Sequence, residues 1–284
     1  MLTRDTVAAG VRAALAEDAP WGDVTADALL PPDARAHARL ESREPGVLAG
    51  VAVVVETFAQ VDPSIVVDVR MADGDAVAAG SVVAVVDGPA HGVLRAERIA
   101  LNFAQRMSGI ATATRRYVDA VDGTGVRIVD TRKTTPGLRA FERHAVVCGG
   151  GHNHRFSLSD AVMVKDNHLA LLGDDPGAIT TALRAARQRL GHTVHVEVEV
   201  DRVDQIEPVL AGGADTVMLD NFSEDDLRRG VDLVAGRALV EASGGITLAS
   251  VRAVAECGVD VISVGALTHS SPALDLGLDV AVVR

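Results

Sequence analysis

Apolar positions recur at helical spacing at the start of the chain, break into short runs, and then settle into a regular alternation of strand-like and helix-like segments. Residues 3–15 set Val7, Val11, Ala14 and Leu15 on one face behind Thr3, whose hydroxyl suits an N-cap, and predict a helix. A polar stretch with Pro20 and Gly22 predicts a loop over 18–23. Between about residues 36 and 94 the texture is β-like, with short runs at 51–55, 65–69 and 81–86 and a turn signal at Asp73-Gly74-Asp75. Residues 94–121 contain no proline, and Gly109 is their only glycine. They place Leu94, Arg98, Leu101 and Gln105 near one face and Ile99, Phe103 and Met107 near another, which predicts a long linker helix bent at Gly109.

The second half repeats a simpler unit. Strand-like runs at 126–129, 161–164, 194–200, 216–219, 238–241 and 259–264 alternate with helix-like stretches such as 177–189 and 247–256. Repeated β/α units close into a barrel, here shorter than the usual eight-fold form. A doubly wound open sheet is the alternative, but no G-x-G-x-x-G follows a first strand, so its dinucleotide-binding version lacks support. The polar residues favour the barrel. Nearly every run ends in a residue able to bind or react: Arg132 and Lys133, Lys165 and Asp166, Glu199, Asp220 and Asn221, Ser243-Gly244-Gly245, then Gly265. Any one of these, taken alone, reads as well as a helix cap or a turn residue. Their recurrence at the C-terminal strand ends, where barrel active sites are built, describes one pocket.

Composition sharpens the chemistry. Of 27 basic side chains only Lys133 and Lys165 are lysines, and each follows an apolar strand-like run. A chain that otherwise uses arginine keeps lysine where a compact, rotatable point charge matters. The net charge is −12, which argues against nucleic acid or an anionic membrane as partner. Yet residues 127–155 carry Arg127, Arg132, Lys133, Arg139, Arg143 and Arg155 against only Asp130 and Glu142. A cationic island in an acidic chain attracts small polyanions. His152 and His154 lack a third ligand at metal spacing, and the arginine-rich setting disfavours zinc there. Two cysteines, Cys148 and Cys257, form no C-x-x-C pair and read as reduced thiols. The first 15 residues, with Arg4, Asp5 and Arg12, have no secretory h-region, and the expected location is cytoplasmic. The glycine-rich turns after the last two strands, at Ser243-Gly244-Gly245-Ile246 and Val264-Gly265-Ala266, suit a phosphate cradle.

A set of strings running in order from Glu17 to about Leu278 resembles the quinolinate phosphoribosyltransferase family, the decarboxylating nicotinate-nucleotide pyrophosphorylases of NAD biosynthesis. They are Glu97-Arg98 with Leu101-Asn102, Ser108-Gly109-Ile110-Ala111-Thr112, Asp130-Thr131-Arg132-Lys133-Thr134 with Pro136-Gly137-Leu138-Arg139, Gly149-Gly150-Gly151 with Asn153-His154-Arg155, Lys165-Asp166-Asn167-His168, Glu197-Val198-Glu199-Val200, Leu219-Asp220-Asn221-Phe222, Ser243-Gly244-Gly245-Ile246 and Val264-Gly265-Ala266-Leu267-Thr268-His269. The N-terminal module matches more loosely.

The resemblance implies an α/β chain: an incomplete (β/α) barrel as catalytic domain over 111–270, and a smaller α+β domain of open β-sandwich type over 1–110, joined by 271–284. It implies an enzyme, a pentosyltransferase that joins quinolinate to phosphoribosyl pyrophosphate with loss of CO2, working as a homodimer with shared active sites. By that resemblance Arg132, His154, Arg155 and Lys165 hold the quinolinate carboxylates, and Arg98 reaches the partner's site. Lys133 contacts the pyrophosphate side. Glu199 and Asp220 bind ribose hydroxyls and Mg2+, and Ser243, Gly244, Gly245, Gly265 and His269 take the 5′-phosphate.

Alternatives from other classes are a related phosphoribosyltransferase for another pyridine carboxylate, a Schiff-base barrel aldolase using Lys165, and a non-catalytic anion-binding protein. A lipoyl or biotinyl carrier would suit the texture of residues 43–94, but no lysine precedes Lys133.

Overall fold

The computed structural model describes residues 2–172 and 175–282. In chain order the first elements are α1 (Arg4–Asp18), α2 (Val24–Leu29), β1 (Arg35–Ser42), β2 (Gly46–Val47), α3 (Val51–Val61), β3 (Val66–Val69), β4 (Ala76–Val77), β5 (Val82–Pro89) and α4 (Ala90–Ala120). Next come β6 (Arg127–Val129), α5 (Arg139–Cys148), β7 (Val162–Val164), α6 (Asp166–Leu172), α7 (Pro176–Arg189), β8 (Val196–Val200), α8 (Ile206–Ala211) and β9 (Thr216–Asp220). The last are α9 (Glu224–Val234), β10 (Leu239–Ser243), α10 (Val251–Ala255), β11 (Val261–Ser263), α11 (Ala266–His269) and β12 (Leu276–Val282). They form two compact units, one of residues 1–115, 134–150 and 267–284, the other of 116–133 and 151–266.

The first unit is built on an antiparallel sheet in the order β12-β1-β5-β3. Strict alternation along β1 turns Ala36, Ala38 and Leu40 inward, where they share a core with Val83 and Val86 of β5, Val54 and Phe58 of α3, and Val93, Ala96, Ala100 and Ala104 of α4. Residues 51–55, expected as a strand, instead open α3. Valine favours strands, but the Asp73 carboxylate accepts from the Gly50 and Val51 amides at 2.8 and 2.9 Å, and burial of Val53, Val54, Thr57 and Phe58 on one face overrides propensity. The linker helix is α4. Gly109 serves a close approach within it, since a Cβ there would lie 1.9 Å from the Pro272 carbonyl oxygen. The α5 helix packs in this unit through Phe141, whose ring centroid stands 5.0 Å from that of Phe103. Beneath it the buried Glu142 accepts from Arg106 at 2.8 Å and from the Thr135 hydroxyl at 2.8 Å.

The second unit is a parallel sheet in the order β6-β11-β10-β9-β8-β7. A bridge from Val129 to His152 adds a seventh position beyond β6. Among the described residues no pairing joins that position to β7, so the barrel is incomplete. Strand β8 reads Val196-Glu197-Val198-Glu199-Val200 and is buried throughout. Its valines and its two glutamates therefore occupy opposite faces, and the glutamates share the inner face with Met218 and Asp220 of β9, Glu241 and Ser243 of β10, and Met163 and Lys165 at the end of β7. Among the described residues no helix is long and apolar enough to cross a membrane.

Candidate active site

A cavity of about 370 Å3 opens at the C-terminal strand ends of the second unit. It gathers Arg132 and Lys133 from beyond β6, His154 and Arg155 from beyond the His152 bridge, Lys165 after β7, Glu199 of β8, Asp220 of β9 and Ser243 of β10. Eight residues singled out in the sequence thus line one space, as the barrel's convergence of strand ends requires. Gly244, Gly245 and Gly265 follow β10 and β11 at the same end. Gly244 has φ 93°, and a Cβ on it would sit 2.2 Å from the Asn221 side-chain oxygen, so the turn beyond Ser243 admits only glycine at that position. A Cβ at Gly245 would meet nothing within 4 Å, which leaves backbone open for a ligand oxygen. Arg98, exposed on α4, and His269, exposed at the end of α11 with its ring bonded to Ser270 at 2.7 Å, belong to the first unit.

Cationic and anionic side chains share the cavity. Burial first, and the neighbouring Arg132 second, pull the Arg155 guanidinium below its ordinary value, and the second of these is the cost of holding two guanidinium groups close together. An anion between them relieves that repulsion. Arg155 also donates to the Ala161 carbonyl at 3.0 Å, which fixes the direction of its side chain. The Lys165 ammonium pairs with Glu199, whose side chain is only 10% exposed. The Asp220 carboxylate accepts from the Asn221 amide at 2.7 Å. Glu199 and Asp220 therefore present hard oxygens from adjacent, hydrogen-bonded strands into the same cavity.

Two residues that the sequence reading gave no role lie at the floor. Glu197 and Glu241, both nearly fully buried, approach His154 Nε2 at 3.0 and 3.4 Å. Burial acts hardest on His154 and pulls it down, but the two carboxylates together outweigh it and push the ring up to about 10. The Arg155 amide opposes a second ring proton, because it donates to Nδ1 at 2.7 Å and a protonated Nδ1 has no lone pair to offer. Burial likewise pushes the Glu197 carboxyl up, against its bond to His154. The three groups form a proton-retaining cluster with Nε2–H shared between the carboxylates. Asp130, fully buried, accepts from the His154 amide at 2.8 Å and holds the segment in place. The signal in the sequence was an acid flanked by apolar neighbours inside a strand-like run, at Glu197 and at Glu241.

Fold and cavity together define a β/α-barrel protein built to take small polyanions at its C-terminal strand ends. The model of the quinolinate phosphoribosyl transferase N-terminal domain matches residues 23–108, and that of the C-terminal domain matches residues 110–279. The chain belongs to the quinolinate phosphoribosyltransferase family. It is 42% identical over 266 residues, 94% of this chain and 90% of the other, to the probable nicotinate-nucleotide pyrophosphorylase (carboxylating) of Bacillus subtilis. It is 42% identical over 286 residues, 95% of this chain and 81% of the other, to the chloroplastic nicotinate-nucleotide pyrophosphorylase (carboxylating) of Arabidopsis thaliana. Among solved structures, the nicotinate-nucleotide pyrophosphorylase of Francisella tularensis superposes with a TM-score of 0.92 at 38% identity, covering 99% of this chain and 98% of that one.

Proposed function

We propose that the chain transfers the phosphoribosyl group of phosphoribosyl pyrophosphate to quinolinate, releasing pyrophosphate and CO2 and leaving nicotinate mononucleotide. The observation that carries this reading is the pairing, in one cavity, of the Arg132–Arg155–Lys165 cations with the Glu199 and Asp220 carboxylates. A dicarboxylate suits the first set, and a sugar losing its leaving group suits the second. Arg132, Arg155 and Lys165 grip the two ring carboxylates, with the His154 ring at the cavity floor. Lys133 faces the pyrophosphate. The glycine turns at Gly244, Gly245 and Gly265, with Ser243, receive the 5′-phosphate.

The pyridine nitrogen displaces pyrophosphate from the anomeric carbon through an oxocarbenium-like transition state, and the carboxylates of Glu199 and Asp220 stabilise the positive charge that develops there. In the second stage the bond from ring carbon 2 to its carboxylate breaks. CO2 leaves, the electron pair stays on carbon 2 beside the now cationic nitrogen, and a proton from solvent completes the product. That stage depends on positioning and exclusion of water more than on a strong base. Mg2+ fits the oxygen donors of Glu199 and Asp220, and when bound it supplies positive charge to the pyrophosphate leaving group. Arg98 completes the quinolinate pocket of a partner subunit in a homodimer. A Schiff-base aldolase is disfavoured, since it needs an uncharged lysine and Lys165 is ion-paired with Glu199.

The direct test is to incubate the purified chain with Mg2+, phosphoribosyl pyrophosphate and carboxyl-labelled quinolinate. Stoichiometric nicotinate mononucleotide and CO2 support the reading. Consumption of phosphoribosyl pyrophosphate without either product ends it.

A further inference from the structure

The first unit holds a second cluster of ligating side chains, which the reaction does not use. Asp73 sits in the turn between β3 and β4, and His144 and Cys148 lie one helical turn apart on α5. The Asp73 Oδ2 atom is 2.7 Å from His144 Nε2, and oxygen, nitrogen and sulfur atoms of the three residues all lie within 4.8 Å of one another. All three are partly exposed: the Asp73 and His144 side chains keep 21% and 30% of their surface. The geometry is held from both sides. Asp73 is fixed through its other oxygen by the Gly50 and Val51 amides, while α5 is anchored by the buried Phe141, Ala145 and Val146.

We propose that Asp73, His144 and Cys148 form a binding site for a thiophilic divalent cation, Zn2+ above all, separate from the catalytic cavity. One carboxylate, one imidazole and one thiolate are a donor set that Zn2+ takes in tetrahedral geometry, with water in the fourth position, whereas Mg2+ avoids sulfur. Bond lengths near 2.0 Å to nitrogen and oxygen and 2.3 Å to sulfur place tetrahedral ligands about 3.3–3.6 Å apart. The carboxylate and ring would open by about 0.6 Å from their present 2.7 Å, and the sulfur would close by about 1.2 Å at most, within reach of side-chain adjustment.

The alternative use of such a trio is a thiolate nucleophile activated by the imidazole. The position argues against it. Cys148 is the last residue of α5, where the helix dipole is negative and disfavours a thiolate but favours a cation. The cluster suits positive charge by position: the Asp73 carboxylate lies 2.7 Å from His144 Nε2, beside the C-terminal end of α5.

Cobalt(II) is the probe, because a thiolate ligand gives it a charge-transfer band and four-coordination gives it intense visible bands. The full chain, stripped with chelator and kept reduced by a phosphine, is titrated with Co2+ and then back-titrated with Zn2+. One equivalent of Co2+ should produce both sets of bands, Zn2+ should erase them, and Zn2+ should raise the melting temperature. Cys148→Ser should abolish the charge-transfer band and the Zn2+-induced rise, His144→Gln should weaken Co2+ binding at least about tenfold, and Cys257→Ser should change neither. Should His144→Gln fail to fold, Cys148→Ala at the helix end provides the same comparison. Three outcomes would overturn the proposal: bands of six-coordinate cobalt only, a charge-transfer band that survives Cys148→Ser, or equal Zn2+ effects on the melting of both proteins. The readout is binding, so it stands or falls apart from the catalytic assignment.

Discussion

Nicotinate is the sharpest probe of the cavity, because it differs from quinolinate only by the carboxylate that the second stage removes. Arg132, Arg155 and Lys165 line the space together, and Arg155 is already held below its ordinary value by burial and by Arg132. A carboxylate held by charged donors contributes about 1.5–3 kcal/mol, and full burial raises the loss on removing it to about 3–5 kcal/mol. These cations are only partly buried, with 42% of the Lys165 side chain exposed, so the lower range applies. A loss of about 2–3 kcal/mol corresponds to roughly 30–150-fold in kcat/KM. Both substrates give nicotinate mononucleotide, so one chromatographic assay compares them directly. Arg155→Ala should depress quinolinate turnover more than nicotinate turnover and so narrow the ratio. Values of kcat/KM within about threefold of each other for the wild type would refute the reasoning, since uniform binding cannot arise from a pocket whose cations grip two carboxylates.

Lys165→Arg should lower activity at least about 100-fold with an unchanged urea midpoint, because the planar fork misplaces charge that an ammonium places on Glu199; near-normal kinetics would remove Lys165 from the site. Arg98→Ala and Lys165→Ala should each be inactive, yet recover about a quarter of wild-type activity after subunit exchange, since half the dimers are mixed and carry one intact site; no recovery would return Arg98 to its own chain. Glu142→Ala should cost about 3–5 kcal/mol in urea unfolding, because Arg106 loses a carboxylate that is 1% exposed; a loss under about 1 kcal/mol would contradict the buried network. His144 is raised in the folded chain, so its pair with Asp73 stabilises fully below about pH 6.5 and fades as pH climbs toward 10. With the His144 side chain 30% exposed, screening limits the effect to about 1 kcal/mol, and in chelator the stability gap between wild type and His144→Gln should shrink across that window rather than stay flat.

The barrel was legible because its strands are short apolar runs that end abruptly in charged or glycine residues, and a parallel strand covered on both faces has no other pattern available. Residues 216–219 and 238–241 each continue one or two residues further, into Asp220 and Ser243, because the backbones of these pocket residues pair with each other in the ladder. Residues 51–55 misled: a run of valines is ambiguous by periodicity, and what makes it helical is Asp73, twenty-two residues away from Val51. Glu197 and Glu241 were visible as letters but not as neighbours, since His154 meets them only through the pairing of β6, β11, β10, β9 and β8. The Asp73–His144–Cys148 cluster was hidden because α5 meets the turn that carries Asp73, 71 residues before His144, only in the folded chain.

The pairing of β12 with β1 bears on how the chain is made. Arg43 and Asp279, ion-paired at 2.7 Å across those strands, are 236 residues apart. At ribosomal speeds of about 5–20 residues per second, β1 waits about 10–50 s for its neighbour. During translation it has β5 on one side and open amides and carbonyls on the other, with Ala36, Ala38 and Leu40 ready to join any passing strand. The barrel segment is synthesised whole in that interval. A nascent chain of this protein therefore carries an unfinished sheet edge for most of its synthesis, and a stop codon placed just before Leu276 would leave that edge open permanently while the strands of the barrel remain intact.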